Sequence, residues 1–248
     1  MDAPQDVGTS CRNIQAGYKK GIYVLVPERL AKDSVRDYAY RTLKQNIIAT
    51  TLAPGSMVSE NALAAELGIS RTPVREALIE LSKAELVEIL PQKGCRITKI
   101  DGSLVEEAHF MRLVLERAIV EMICDTAQER DLEPLEDNLR LQEFYLARPS
   151  PEKLLELDNE FHRQMFVICR MNRVHYLMSS IMMHFDRVRS LSLQSIKDLK
   201  IVDDHRALLD AIRAKDKQRA SRITTEHLER YRVDENIIRG EHPEYFEE

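Results

Sequence analysis

Ser70-Arg71-Thr72-Pro73-Val74-Arg75-Glu76-Ala77-Leu78 lies at the centre of a stretch, Ser59 to Thr98, whose reading decides the fold. Upstream, Asn61 to Leu67 reads as a short helix, with Ser59 placed as its N-cap and Gly68 where a left-handed C-terminal cap is wanted. After a tight turn, Thr72 can cap a second helix whose first position is Pro73, where a missing N–H costs nothing. Val74, Ala77, Leu78 and Leu81 then recur at i, i+3, i+4 and i+7, which predicts an inward-facing stripe. That leaves Arg71, Thr72 and Arg75 on the outer side of the helix start, the end that a helix-turn-helix presents to the major groove. Val87 to Leu90 and Cys95 to Lys99 read as two short strands around Pro91-Gln92-Lys93-Gly94, a hairpin with a cation and a glycine at its tip. Helix, turn, helix and hairpin together predict a winged helix-turn-helix.

The wider stretch LAPGSMVSENALAAELGISRTPVREALIELSKAELVEILPQKGCRITKI resembles the DNA-binding domain of GntR-type bacterial transcription factors, most closely over SRTPVREAL. The resemblance implies DNA contacts from Arg71, Thr72 and Arg75 and from the wing tip, Lys93 and Gly94. Many relatives carry an arginine early in the preceding helix. This chain has Asn61 there, a side chain that can still reach a phosphate or a base edge.

Composition bounds the remainder. The chain has 248 residues, 44% hydrophobic and 31% charged, enough for one or two packed domains and too mixed for disorder. No uncharged apolar run is long enough to span a bilayer and no cleavable leader is present, so a cytoplasmic protein that does not enter a membrane is expected. Cys11, Cys95, Cys124 and Cys169 are scattered without a CxxC pair, which argues against a thiolate zinc site. The formal charge of −5 is unevenly placed. Basic against acidic residues number 5 to 3 over residues 1–32, 9 to 9 over 33–101 and 22 to 29 over 102–248. DNA binding must therefore rest on where the arginines stand and not on global charge.

The sequence divides into an N-terminal arm (1–32), a DNA-binding domain (33–101), a helical domain (102–240) and a polar tail (241–248). The arm has no sustained period, although Ile22 to Val26 could form a short strand. A first helix from Ser34 carries Val35, Tyr38, Ala39, Leu43 and Ile47 at helical spacing and stops before Leu52-Ala53-Pro54-Gly55. Beyond Asp101-Gly102 the sequence is almost unbroken helix. Six segments are expected, starting at Ser103, Asp131, Pro151, Asn172, Lys200 and Asp216, and they predict an antiparallel six-helix bundle. Val105, Ala108, Leu113, Leu115, Ala118, Ile119 and Met122 should line the buried side of the first.

Chemistry-bearing residues concentrate in that bundle. Asp158 and His162 stand at i and i+4, on one helix face and at chelating distance; His205 lies early in the fifth helix and His227 within the sixth. Three imidazoles and a carboxylate suit a divalent transition metal such as zinc or nickel better than calcium or magnesium. Taken alone, an Asp-x-x-x-His is more often a surface pair. His175 and His184 read as packed or solvated, His109 as either, and His242 as part of the tail.

From about Ser103 to Ile238 the chain resembles the FCD ligand-binding domain of FadR-type GntR regulators, in the six-helix branch typified by vanillate regulators. The resemblance implies a metal held by Asp158, His162, His205 and His227, and an effector site that includes Arg112 and Glu116, in FMRLVLERAIV. It also implies a homodimer that binds double-stranded operator DNA and a small carboxylate effector. A rival reading is a metal-dependent enzyme with its active site in the bundle, but no general base stands beside the ligand set and an enzyme has no use for Ser70 to Leu78. A third is a helical interaction module whose histidines are incidental.

Overall fold

A computed structural model describes residues 23–148, 150–195 and 200–247, so Cys11 and Ile22 lie outside the described residues. The N-terminal part contains α1 (Val35–Ile48), β1 (Met57–Val58), α2 (Glu60–Leu67), α3 (Arg71–Lys83), β2 (Val87–Leu90) and β3 (Gly94–Ile97). Ser34 caps α1 with a full capping box, accepting from the Asp37 N–H while the Asp37 carboxylate accepts from the Ser34 N–H. α2 ends as expected at Gly68, with φ of 64°. α3 begins two residues earlier than the sequence suggests. Ser70, and not Thr72, is its N-cap, and Pro73 falls at the third helical position. The shift is tolerated because the whole first turn has free N–H groups, so proline loses nothing there.

The sheet is antiparallel in the order β1-β3-β2, with Val87 opposite Ile97 and Leu90 opposite Gly94. β1, which the alternation rule misses because it has only two residues, pairs Val58 with Cys95. This makes Gly94 a packing requirement: its φ is 104°, and a Cβ there would stand 2.8 Å from the Val58 carbonyl oxygen. No strand forms over 23–26. Instead the buried Asn46 side chain acts as a surrogate strand, accepting from the Leu25 N–H at 2.7 Å and donating to the Leu25 carbonyl at 2.8 Å. Val24 is thereby held in the same core as Leu43, Leu63, Val74 and Leu81.

The helical part contains α4 (Gly102–Thr126), α5 (Glu129–Ala147), α6 (Pro151–Ile168), α7 (Asn172–Ile181), α8 (Met183–Ser195), α9 (Ile201–Arg213), α10 (Lys217–Glu229) and α11 (Tyr231–Glu241). These are the six expected segments, two of them interrupted: the fourth at Met182 and the sixth at Arg230. α4 packs on α10, α5 on α6 and α9, and α8 on α4, α6 and α11. The buried stripe of α4 differs from the apolar one expected. It runs through Val105, Ala108, His109, Arg112, Glu116, Ile119 and Ile123, whereas Ala118 and Met122 are exposed and Leu113 and Leu115 half-buried. Polar residues occupy the inner face because that face borders a cavity and an ion-pair network. The expected tail is also folded back: Ile100 donates to the Tyr245 carbonyl at 2.8 Å, Glu247 donates to the Ile100 carbonyl at 3.0 Å, and Phe246 is buried.

α8 belongs to both halves of the molecule. Met183 packs in the N-terminal core, while Phe185, Val188 and Leu191 pack in the bundle core. Arg187, fully buried, donates to the Thr98 carbonyl at 2.6 Å and to the Lys99 carbonyl at 3.3 Å, tying α8 to the segment that joins β3 to α4. Burial lowers this guanidinium from its ordinary 12.5 to about 10. Next to it His184 is buried with both ring nitrogens unpaired, and burial pushes it down to about 4.

Candidate metal centre and effector cavity

α6 presents Asp158 and His162 one turn apart, α9 brings His205 and α10 brings His227, and one ligand atom from each lies within 4.8 Å of all the others. His162 Nε2 and His205 Nε2 are 3.3 Å apart, and Asp158 Oδ1 is 3.5 Å from His205 Nε2. Three of the four are buried and His227 is nearly so.

Behind each imidazole stands an acceptor that fixes its orientation. His205 donates Nδ1–H to Gln142 Oε1 at 2.9 Å. The Gln142 amide donates to Asn138 Oδ1, which donates through its own amide to the Leu157 carbonyl, so the relay from α9 through α5 to α6 sets both amides. His227 directs Nδ1 at Asp204 Oδ2, 3.2 Å away, and Arg230 grips the same carboxylate at 2.8 and 2.5 Å. His162 Nδ1 lies 2.8 Å from Glu116 Oε2, though not aligned as a hydrogen bond. With each Nδ1 facing an acceptor, Nε2 is left as the lone-pair donor on the inner side.

Electrostatics favour the ligating forms. Burial lowers the pKa of all three imidazoles, that of His162 to about 4, so they stay neutral near pH 7. Burial works to raise the Glu116 carboxyl, but Arg112 and His162 overcome it and hold it well below the usual carboxylate range. The donor set, its enclosure and its outer acceptors all fit a bound metal ion.

The ligand cluster opens on a cavity of about 270 Å³ whose lining includes Arg112, Asp158, Phe185, Arg189, Lys200 and His227. The structure thus unites all four ligand candidates with Arg112. Glu116 stands behind His162, bonded to Arg112 Nε at 2.7 Å, and is not part of the cavity wall. Gln142 and Asp204 carry no local signal in the sequence, because their histidine partners are 63 and 23 residues away, and the link from Arg189 to Asp158 likewise spans 31 residues.

The other candidate residues belong to the N-terminal part. Arg71, Thr72 and Arg75 are exposed at the start of α3, Asn61 at the start of α2 and Lys93 in the β2–β3 turn. Glu60 bridges to Arg71 at 3.1 Å and approaches Arg75 at 3.9 Å, a restraint the sequence did not reveal.

Comparison with known proteins places both halves. A family model for bacterial regulatory proteins of the gntR family matches residues 36–97, and one for the FCD domain matches residues 107–230. The chain belongs to the GntR family. This GntR-family chain is 32% identical over 210 residues to an uncharacterized HTH-type transcriptional regulator in an unstable DNA locus of Streptomyces ambofaciens, covering 84% of this chain and 87% of that one. It is 28% identical over 215 residues to the HTH-type transcriptional repressor RspR of Escherichia coli K12, covering 86% and 94%. Its fold is that of E. coli McbR/YncC, with a TM-score of 0.71 at 20% identity, covering 85% of this chain and 99% of the other. The protein is thus a DNA-binding transcriptional regulator with an FCD effector-binding domain, and its relatives are regulators, not enzymes. Among the described residues, no helix is long and apolar enough to cross a membrane.

Proposed function

We propose that the protein is a cytoplasmic, homodimeric, metal-containing transcriptional regulator that senses a small carboxylate. The observation that carries this reading is the convergence of three imidazoles and one carboxylate beside a cavity lined by guanidinium groups. Zinc or nickel fits the nitrogen-rich donor set best, with Asp158, His162, His205 and His227 as ligands. A bound ion would supply a Lewis acid able to take carboxylate oxygens in its open positions. Arg112, held by Glu116, would neutralise the acid, and Glu116 would also keep His162 in its ligating orientation.

The division of labour follows the sequence. Residues 33–101 read DNA through Arg71, Thr72, Arg75 and Asn61 on the helices and through Lys93 and Gly94 on the wing; residues 102–240 bind effector and join protomers. Phe110 and Val114 on α4, with Tyr176, Leu177 and Ile181 on α7, leave apolar side chains exposed on adjoining helices, a surface suited to a second copy. A two-fold dimer would place two recognition helices on half-sites about one helical turn apart.

An operator titration of wild type, His205→Ala and His227→Ala, with and without candidate acids and run beside a metal assay, tests the reading. Both variants should bind operator and lose the response. A variant that holds no metal yet responds fully would make the ion a structural cross-link and move sensing elsewhere.

A further inference from the structure

Arg189 on α8 meets Asp158 Oδ2 and also bonds Asn159 Oδ1 and Asp186 Oδ1, each at 2.6 Å. Arg112 approaches the same Asp158 Oδ2 from α4, but its Nη2 stays 3.8 Å away and is buried with no hydrogen-bond partner. The two guanidinium carbons lie 5.8 and 5.9 Å from the Phe185 ring centroid, and both groups line the cavity. Asp158 Oδ1, in contrast, is the oxygen 3.5 Å from His205 Nε2. The carboxylate therefore faces His205 with Oδ1, while Oδ2, 3.9 Å from the His162 Nε2, is also the oxygen that both arginines approach.

We propose that Arg189 and the unpaired Arg112 nitrogen, which meet on the Oδ2 side of Asp158, are a two-guanidinium clamp for the effector's carboxylate, with Asp158 marking where that carboxylate's charge is wanted when it serves as a metal ligand. The proposal rests on the metal and carboxylate reading above and adds Arg189 as a specificity-determining residue. Charge balance supports it. Among the protein's own groups Arg112 is matched by Glu116 and Arg189 by Asp158, and Asp186 adds a further negative charge beside them. A divalent cation leaves this buried set with one surplus positive charge, which a single carboxylate neutralises. Buried surplus charge is costly until paired, so the ion and the acid should bind cooperatively. The planar fork of arginine suits the two oxygens of a carboxylate in a way a lysine ammonium does not.

The test uses full-length protein stripped of metal, as wild type, Arg189→Gln and Arg189→Lys. Zn2+ alone is titrated against a chromophoric chelator. Removing a cation beside a cation site, and releasing Asp158, should tighten Zn2+ binding in Arg189→Gln by roughly tenfold, while Arg189→Lys, which keeps the charge, stays near wild type. Zn2+ bound by Arg189→Gln as in wild type, or more weakly, overturns the proposal and makes Arg189 an orienting partner of Asp158. In a second arm the Zn2+-loaded proteins are titrated with acetate, L-lactate, L-malate and D-gluconate by calorimetry. Acids that bind wild type should bind both variants about ten- to a hundredfold more weakly, the effect of losing a charge-assisted fork. Unchanged acid affinity in Arg189→Lys, the variant that keeps the buried charge and so favours folding, also overturns it. Wild type that takes up no Zn2+ overturns the metal reading itself, a result distinct from either failure at Arg189.

Discussion

Replacing Arg187 by methionine tests how the effector domain reaches the DNA-binding domain. Arg187 carries the hydrogen bonds from α8 to Thr98 and Lys99, and α8 also presents Arg189 and Ser192 to the cavity proposed to take the effector. Lowering of the guanidinium from 12.5 to about 10 corresponds to about 3 kcal/mol against its charged form. Against that stands one short charge-assisted bond to the Thr98 carbonyl and a longer one to Lys99; a hydrogen bond to a charged group contributes about 1.5–3 kcal/mol. The two effects nearly cancel, and methionine keeps much of the apolar stem, so Arg187→Met should lose only about 1–3 kcal/mol of stability. The melting temperature would fall by about 2–4 °C for each of these kcal/mol. Coupling should suffer far more. Effector coupling is typically about 1–3 kcal/mol, or roughly 5- to 150-fold in operator affinity. In a fluorescence-anisotropy titration, Arg187→Met should bind operator within about threefold of wild type without acid and lose most of the acid-dependent shift, with Arg187→Lys intermediate. A methionine variant whose operator affinity still responds to acid as wild type does would refute the linkage through Thr98 and Lys99.

Four further outcomes are expected. Arg71→Ala or Arg75→Ala should weaken operator binding by roughly ten- to a hundredfold with the fold intact, because a bidentate arginine-to-guanine contact is worth about 1–3 kcal/mol; gel retardation equal to wild type would exclude the contact. Glu60→Gln should strengthen binding to non-operator DNA and steepen its salt dependence, since Arg71 and Arg75 are released from a neighbouring carboxylate. Phe110→Asp with Leu177→Asp should sediment as a monomer at micromolar concentration where wild type sediments as a dimer, if α4 and α7 form the interface. For pH, the buried His184 is held at about 4 in the folded chain and should return to about 6.5 when unfolded, so the unfolded state takes up the proton first. The stability it supports is present above pH 6.5 and lost as pH falls toward 4, up to about 3 kcal/mol; urea midpoints of metal-free protein at pH 7.5 and 5 should differ less in His184→Phe.

The sequence disclosed most where chemistry and local periodicity coincide. α2 and α3 follow from an apolar stripe, a left-handed glycine and a proline in the first turn, all short-range features. The Asp158–His162 pair is likewise local, being a consequence of one helical turn. His205 stands on the apolar stripe of α9 with Val202, Leu209 and Ile212, which is local, but only the family resemblance could join it and His227 to that pair, since short-range periodicity does not encode which helices meet. What was not legible depends on side chains that meet across the bundle. Asp204 belongs to His227 on the next helix and not to its neighbour His205, although Asp204 and His205 adjoin in sequence. The apolar-stripe rule failed on α4 for a related reason: Arg112 and Glu116 are buried as a pair, which periodic hydrophobicity scores as solvent-facing.

Those two failures point to one principle of construction. A helix that borders an effector cavity must carry charge on its inner face, and that charge is stable only when each group finds its opposite before the ligand arrives. Arg112 has Glu116, Arg230 has Asp204, and Arg189 has Asp158 and Asp186, so each of these three guanidinium groups of the cavity wall already stands beside a carboxylate. An ion that drew Asp158 into its own coordination would open one contact of that set, leaving Arg189 with Asp186. The opening falls on α8, whose opposite face holds Met183 in the DNA-binding core and Arg187 on the joining segment. A change in what Arg189 holds would therefore change the forces on a helix that packs in both cores, a physical route by which an effector bound in the cavity would reach the DNA-binding domain.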